Sequence, residues 1–276
     1  AVDWARVATL TASGIGFDFD FFGDGCTTYC PELLGWFNAM DTGVVSTRVA
    51  ALMDPTQIHP YFVCTAASPP GCVNGSPQPN SADRRMGDGS FGTAAMTGTF
   101  GNIPRTANGG SDFAYTEYEL FNPARGMYHQ SNIAHVRYDV SGVQDPNGIW
   151  GWFGRAPAIS RTTNDLLRAE AEIRRAGGDL AIAAQMINNT RVTRGGLAPA
   201  TAGEGAASLT TKLIYEQEIE LLGLGPSPFY QRRRVPNGLL VGTPREMPVP
   251  AKELGVLGQA FYTWGGTGPA NSPTPP

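Results

Sequence analysis

The chain has 276 residues, 16% of them charged, and a formal net charge of −4. That length buries a substantial core and suits one or two domains, while the mildly acidic balance argues against a broad nucleic-acid footprint, so no nucleic-acid partner is expected. The 35 glycines and 22 prolines make up about a fifth of the chain, which is short of a disordered low-complexity sequence but predicts much irregular structure. No run of about 18 apolar residues is present, so no membrane-spanning helix is expected.

Asp3 predicts a helix cap, with a first helix running to about Thr11 and Trp4, Val7 and Leu10 on one side. Gly14 and Gly16 end it. Phe17-Asp-Phe-Asp-Phe21 alternates strictly and reads as a short strand with its phenylalanines on one face. Asp18, Asp20 and Asp24 faintly suggest a calcium loop, but the EF-hand glycine and terminal glutamate spacing is missing, which favours solvated strand aspartates and no metal. Pro31 to Met40 predicts a short helix burying Leu33, Leu34, Trp36 and Phe37, and Ser46 to Met53 a second. From Pro55 to about Gly110 the text is rich in Gly, Pro, Ser, Asn and Thr, and it predicts a long surface loop.

Four cysteines fall into two local pairs, Cys26 with Cys30 and Cys64 with Cys72. Each pair closes a short loop, which predicts two disulfides in an exported protein. A zinc site is the rival reading, though neither spacing is Cys-x-x-Cys. Asn74-Gly-Ser76 and Asn188-Asn-Thr190 fit the glycosylation pattern, which short sequences also meet by chance. The start at Ala1, without a leader or lipid-accepting cysteine, fits a processed leader or the later part of a longer polypeptide.

Strand-like pieces follow at Tyr115 to Tyr118 and Ile133 to Tyr138. Trp150, Trp152 and Phe153 gather in a glycine setting. Such rings either cover the core beneath a loop or stack on the C–H faces of sugars; on the second reading Trp150 and Trp152 are the candidate ligand contacts, with Tyr128 as a third. At Thr162 the character changes. Thr163 or Asn164 predicts the cap of a helix from Asp165 to Ala176, Gly177-Gly178 breaks it, and Leu180 to Thr190 forms a second helix. The small residues of this pair suit a tetratricopeptide-like unit that needs neighbours to bury its face. A long helix follows after Ser208. Residues 265–276 read as a flexible Gly/Pro/Ser/Thr tail.

Glu216 and Glu220 stand one turn apart on that long helix. A glycosidase pair is one reading of them; an ion network with Arg232 and Arg233, bracing helix, turn and a proline-fixed extended run up to Leu254, is the preferred one. No G-x-S-x-G elbow surrounds a serine, and His129 and His135 lack a shared-metal spacing, so no hydrolase is expected.

These C-terminal segments resemble the SusD/RagB family of outer-membrane nutrient-binding proteins. Asp165-Leu-Leu-Arg-Ala-Glu-Ala171 is similar to the family's AEA helix. Gly178-Asp-Leu, Ala181, Ala184, Asn188, Arg191 and Gly196-Leu197 are similar to the segment that follows it. Ile214-Tyr-Glu-Gln-Glu-Ile-Glu-Leu221, Phe229-Tyr-Gln-Arg-Arg233 and Pro248-Val-Pro-Ala-Lys-Glu-Leu254 resemble its closing motifs. The order is kept over about ninety residues. Glu218 stands where the family carries a second arginine, and Gln231 where it carries an aspartate, so the charge pairing is altered.

The resemblance implies a mainly α fold with large irregular loops: a tetratricopeptide-like helix pair, a long C-terminal helix and short strands. It implies one SusD-like domain over 1–264, loop-rich to 160 and helical beyond, without the family's N-terminal helices. The implied role is non-catalytic and without cofactors: capture of a glycan or similar nutrient beside a TonB-dependent transporter, at the outer membrane, cell surface or periplasm of a Gram-negative-type bacterium. The alternative is a structural accessory subunit docked on a membrane protein complex or extracellular assembly.

Overall fold

The computed structural model describes residues 2–24, 28, 44–57, 80–86, 112–115, 130–135, 137, 153–224, 227–236, 238–239 and 249–260. Helix accounts for 51% of these, with a few short strands. The chain falls into two compact units, Ala1–Leu224 and Gly225–Pro276. Among the described residues no helix is long and apolar enough to cross a membrane. Trp150, Trp152, Tyr128, all four cysteines, the Pro31–Met40 segment and the 265–276 tail lie outside the described residues.

In the first unit, α1 (Trp4–Ala12) starts where Asp3 accepts the Arg6 N–H at 3.0 Å, which satisfies one of the orphan donors of the first turn. Its buried contact is Ala8, whereas Leu10 points outward. The expected Trp4–Val7–Leu10 face is therefore rotated. The Arg174 guanidinium lies 5.3 Å from the centroid of the Trp4 ring. The Asn164 amide also donates to the Thr11 carbonyl at 3.0 Å. These contacts tie α1 to α3 (Arg161–Arg174). That helix begins a turn earlier than its sequence suggested, because Ser160 supplies the cap, accepting from the Thr163 N–H at 3.0 Å. It ends ahead of Gly177, whose φ of 63° is open to a residue without a Cβ.

Helix α4 (Leu180–Arg191) is capped by Asp179, which accepts from Ala181 and Ile182. At its far end Asn188 donates to the Ala200 carbonyl at 2.9 Å and accepts the Ala200 N–H at 2.8 Å. That amide is spent inside the fold, which argues against Asn188 as a glycan acceptor. Helix α5 (Gly205–Glu220) follows a turn held by Glu204. The Glu204 carboxylate accepts from Thr201 N–H, Ser208 Oγ and Lys212 Nζ at 2.6–2.7 Å. Led by the Lys212 contact, these donors hold it at about 2. Leu166, Ala169, Ala183, Ala184, Ile187, Leu209 and Leu213 close a core among these three helices, where alanines allow close helix approach.

The strands are short. β1 (Phe19–Asp24) pairs antiparallel with β5 (Phe153–Ile159), Phe19 facing Ile159. β2 (Val44–Ser46), β3 (Phe113–Tyr115) and β4 (Gln130–His135) form a second sheet with β4 in the middle. Helix α2 (Thr47–Met53) follows β2 directly. Val45, Val49, Ala50, Met53, Met86, Phe113 and Ile133 build a second core that closes on Ile219 of α5. Residues 216–220 of α5, and Leu221 that follows, are thus all buried. Phe19 and Phe21 of β1 do share a face, with their rings edge to face at 5.7 Å, but that face is exposed.

In the second unit, α6 (Ser227–Arg232) carries the Phe229–Tyr230 ring pair, and the Arg233 guanidinium lies 5.6 Å from the Tyr230 ring centroid. The expected extended run does not reach Leu254: α7 (Ala251–Val256) starts directly after Pro250 and buries Leu254. Proline suits a position just ahead of a helix because its missing N–H would have no partner there.

Candidate functional site

Among the described residues, the densest chemistry lies at the end of α5. Glu216 and Glu220 are fully buried, and the cation between them is Arg85. Its Nη1 donates to Glu216 and Glu220, each at 2.7 Å, its Nη2 to Asp83 at 2.6 Å and to Glu216 at 3.2 Å, and its Nε to Asp83 at 2.9 Å. All five guanidinium donors are engaged. Arg194 joins Glu220 at 2.9 Å to Asp112 at 2.5 Å, Arg137 reaches Glu220 at 2.5 Å, and Arg191 lies 3.8 Å from Glu216. Four carboxylates thus meet four guanidiniums, the balance that a buried charge cluster needs.

Glu216 and Glu220 are held by Arg85, Arg137, Arg191 and Arg194 of the first unit. Arg85 and Asp83 also belong to the stretch read as a surface loop, yet Asp83, Arg85 and Met86 are buried. Two carboxylates on one helix turn draw the loop inward, because neither could be buried without a cation. Asp54 accepts the Asn80 N–H at 2.9 Å at the start of this segment, and that bond, with Thr56, holds its carboxyl at about 2.

The two glutamates titrate differently. Burial pushes Glu216 upward and outweighs Arg85 and the Thr190 hydroxyl, with the charge of Glu220 adding to the rise. Burial also works to raise Glu220, but Arg137, Arg85 and Arg194 overcome it and hold the carboxyl at about 2. Burial raises the Tyr215 hydroxyl, and Asp83, which accepts from it at 2.6 Å, adds to the rise. The neighbouring polar positions of α5 are also used: Glu218 accepts from Arg48 at 3.0 Å, and Gln217 donates to Glu170 at 3.1 Å. Chemically this is a fastening of buried carboxylates by arginines.

The accessible chemistry lies beside it. A cleft of about 410 Å³ is lined by Gly16, Phe17, Asp18, Arg161, Thr162, Asp165, Asn189, Thr190 and Arg194. The fastening supplies its floor, since Thr190 donates to Glu216 at 2.8 Å and Arg194 is held by Asp112 and Glu220. Asp18 accepts the Arg161 N–H at 2.7 Å, capping α3 from outside, and Asp165 accepts from Asn189 at 2.9 Å. Among the described residues no group of three His, Cys, Asp or Glu side chains is placed to hold a metal.

Sequence reasoning found Glu216 and Glu220 but missed Asp83, Arg85, Asp112, Arg137 and Arg194. The available signal was the acidic excess of Glu216-Gln-Glu-Ile-Glu220, which demands cations from elsewhere; nothing local says which. No protein-family model, no curated protein and no solved structure matches this chain.

Proposed function

We propose that the chain is a non-catalytic extracytoplasmic binding protein of the SusD/RagB type, capturing a glycan or similar nutrient beside a TonB-dependent transporter. The observation that carries the reading is the fate of Glu216 and Glu220, the carboxylates of the glutamate-helix motif. Both are fully buried and bound by arginine, so the pair that could imitate a glycosidase serves to join elements, as expected of a binding scaffold. The ordered motifs from Asp165 to Leu254 supply the kinship.

The test is a glycan array, followed by calorimetry on the wild type and on the Trp150→Ala/Trp152→Ala double variant. Wild-type binding of a glycan without its turnover supports the reading. If no glycan binds while the protein co-purifies with a membrane complex, nutrient capture is wrong. The accessory-subunit reading then takes its place, and one observation favours it: Phe19, Phe21, Phe22 and Ile159 of the β1–β5 ribbon are each exposed by about half, and apolar surface of that kind suits a partner.

A further inference from the structure

We infer that the cleft between the Gly16–Asp18 turn and the α3–α4 helix pair is a binding site for a neutral polyhydroxylated ligand, a sugar ring or short oligosaccharide. The inference rests on the nutrient-capture reading but moves the ligand away from Trp150, Trp152 and Tyr128.

The volume of about 410 Å³ falls in the range of small-molecule sites, roughly 300–1,000 Å³. The charges lining the cleft are already matched. Arg194 is engaged by Asp112 and Glu220, Arg161 lies 3.4 Å from Asp165, and Asp18 accepts the first N–H of α3. A free anion would therefore meet a helix end that is already capped, and a free cation would compete with arginines already in place. Hydroxyl groups fit better, since each both donates and accepts.

The groups left over match hydroxyls. Each carboxylate uses one oxygen internally: Asp18 holds the Arg161 N–H through Oδ1, and Asp165 holds Asn189 and Arg161 through Oδ2. Among the described residues, Asp18 Oδ2 and Asp165 Oδ1 have no protein donor, and Asn189 Oδ1 and the Arg161 Nη groups have no hydrogen-bonding partner. That leaves acceptors and donors side by side, on side chains fixed by the internal bonds. Phe17 adds an apolar face. It lines the cleft and is 73% exposed, an unfavourable place for a phenylalanine in water but a good one for stacking on sugar C–H groups.

Calorimetry with maltotriose, cellotriose and xylotriose, together with any glycan from the array and with trigalacturonate as anionic control, tests the site. The proteins are wild type, Phe17→Ala, Asp165→Asn and Trp150→Ala/Trp152→Ala. The expected result is a tenfold or greater loss of affinity for a neutral glycan in both cleft variants, with unchanged thermal midpoints and near-wild-type binding by the tryptophan variant. Phe17 is exposed, so its truncation tests contact and leaves the fold intact. If the wild type binds a glycan and both cleft variants bind it equally well, the cleft is wrong while nutrient capture stands. If trigalacturonate binds better than the neutral sugars, the assigned ligand class is wrong. If the wild type binds no glycan at all, both readings fail together.

Discussion

The two sides of α5 are held by different forces. On one side α3, α4 and α5 are consecutive, capped by Ser160 and Asp179, and joined by an apolar core of leucine, isoleucine and alanine. On the other, separate pieces around residues 44–57, 80–86, 112–115 and 130–137 converge on the same helix. Their apolar cluster is supplemented by Arg85, Arg137, Arg194 and Arg48 on Glu216, Glu218 and Glu220. The first side is assembled from near neighbours, where loop closure costs little. The second closes contacts across more than 130 residues, as in Arg85 with Glu216, and needs directional bonds to choose its partners. Burial of these ions contributes little net stability when complete and is costly when one member is lost.

That difference can be broken most forcefully at Arg85. Arg85→Met leaves Asp83, Glu216 and Glu220 without their shared cation, and a cost of roughly 3–5 kcal/mol is expected. Urea unfolding measures the total, and hydrogen exchange should show protection lost at 112–115 and 130–135 before α3 and α4. Equal loss on both sides would mean that the two regions are not separable. Next in size is Leu166→Ala at the fully buried centre of the helical core, with about 3 kcal/mol expected from lost burial and the cavity left behind. Because α5 is shared, exchange should here rise on both sides, starting from the helices.

Acid gives the third contrast, the smallest over its first pH unit. Burial, with Arg137 beside it, depresses His135 from the usual imidazole value of 6.5 to about 3. A depressed group contributes stability that is fully present above its unfolded value and lost as pH falls through its folded value. The strand side should therefore weaken from pH 6.5 downward, by up to about 1.4 kcal/mol per pH unit for one proton. Glu220 adds the same sign below the ordinary glutamate value of 4.5 and down to about 2. Glu216, with its raised value, has the opposite sign: its contribution is present at low pH and lost as pH rises through its folded value. Denaturant melts of wild type and His135→Gln across pH 7 to 4 check this, with a flatter profile expected for the variant. No difference between the two profiles would remove His135 from the account.

The helices were the legible part, and particular residues explain why. Asp3, Asp179 and the Gly177-Gly178 break act on their own neighbours, so α1, α3 and α4 are found with ends displaced by a turn at most. Ser160 took the place of Thr163 and Asn164 as the cap because a serine before Arg161 allows one further turn. The strands were visible as alternation but not as pairs, since nothing near Phe19 names Ile159. The direction of β1 was also hidden: Asp18 turns inward to cap α3 and Asp20 lies 3.4 Å from Arg155, leaving the rings outside.

By itself, then, the sequence determined the local elements, the need to bury the helix pair against a neighbour, and the demand of Glu216 and Glu220 for positive charge. Caps, breaks and periodicities act over a few residues and are readable within them. Only the tertiary structure decided which arginines answer that demand and that the Asp83–Met86 segment lies inside. It also formed the cleft, by bringing the Gly16–Asp18 turn against α3 and α4. Those choices depend on charge balance and burial among segments far apart in the chain, which no local pattern encodes.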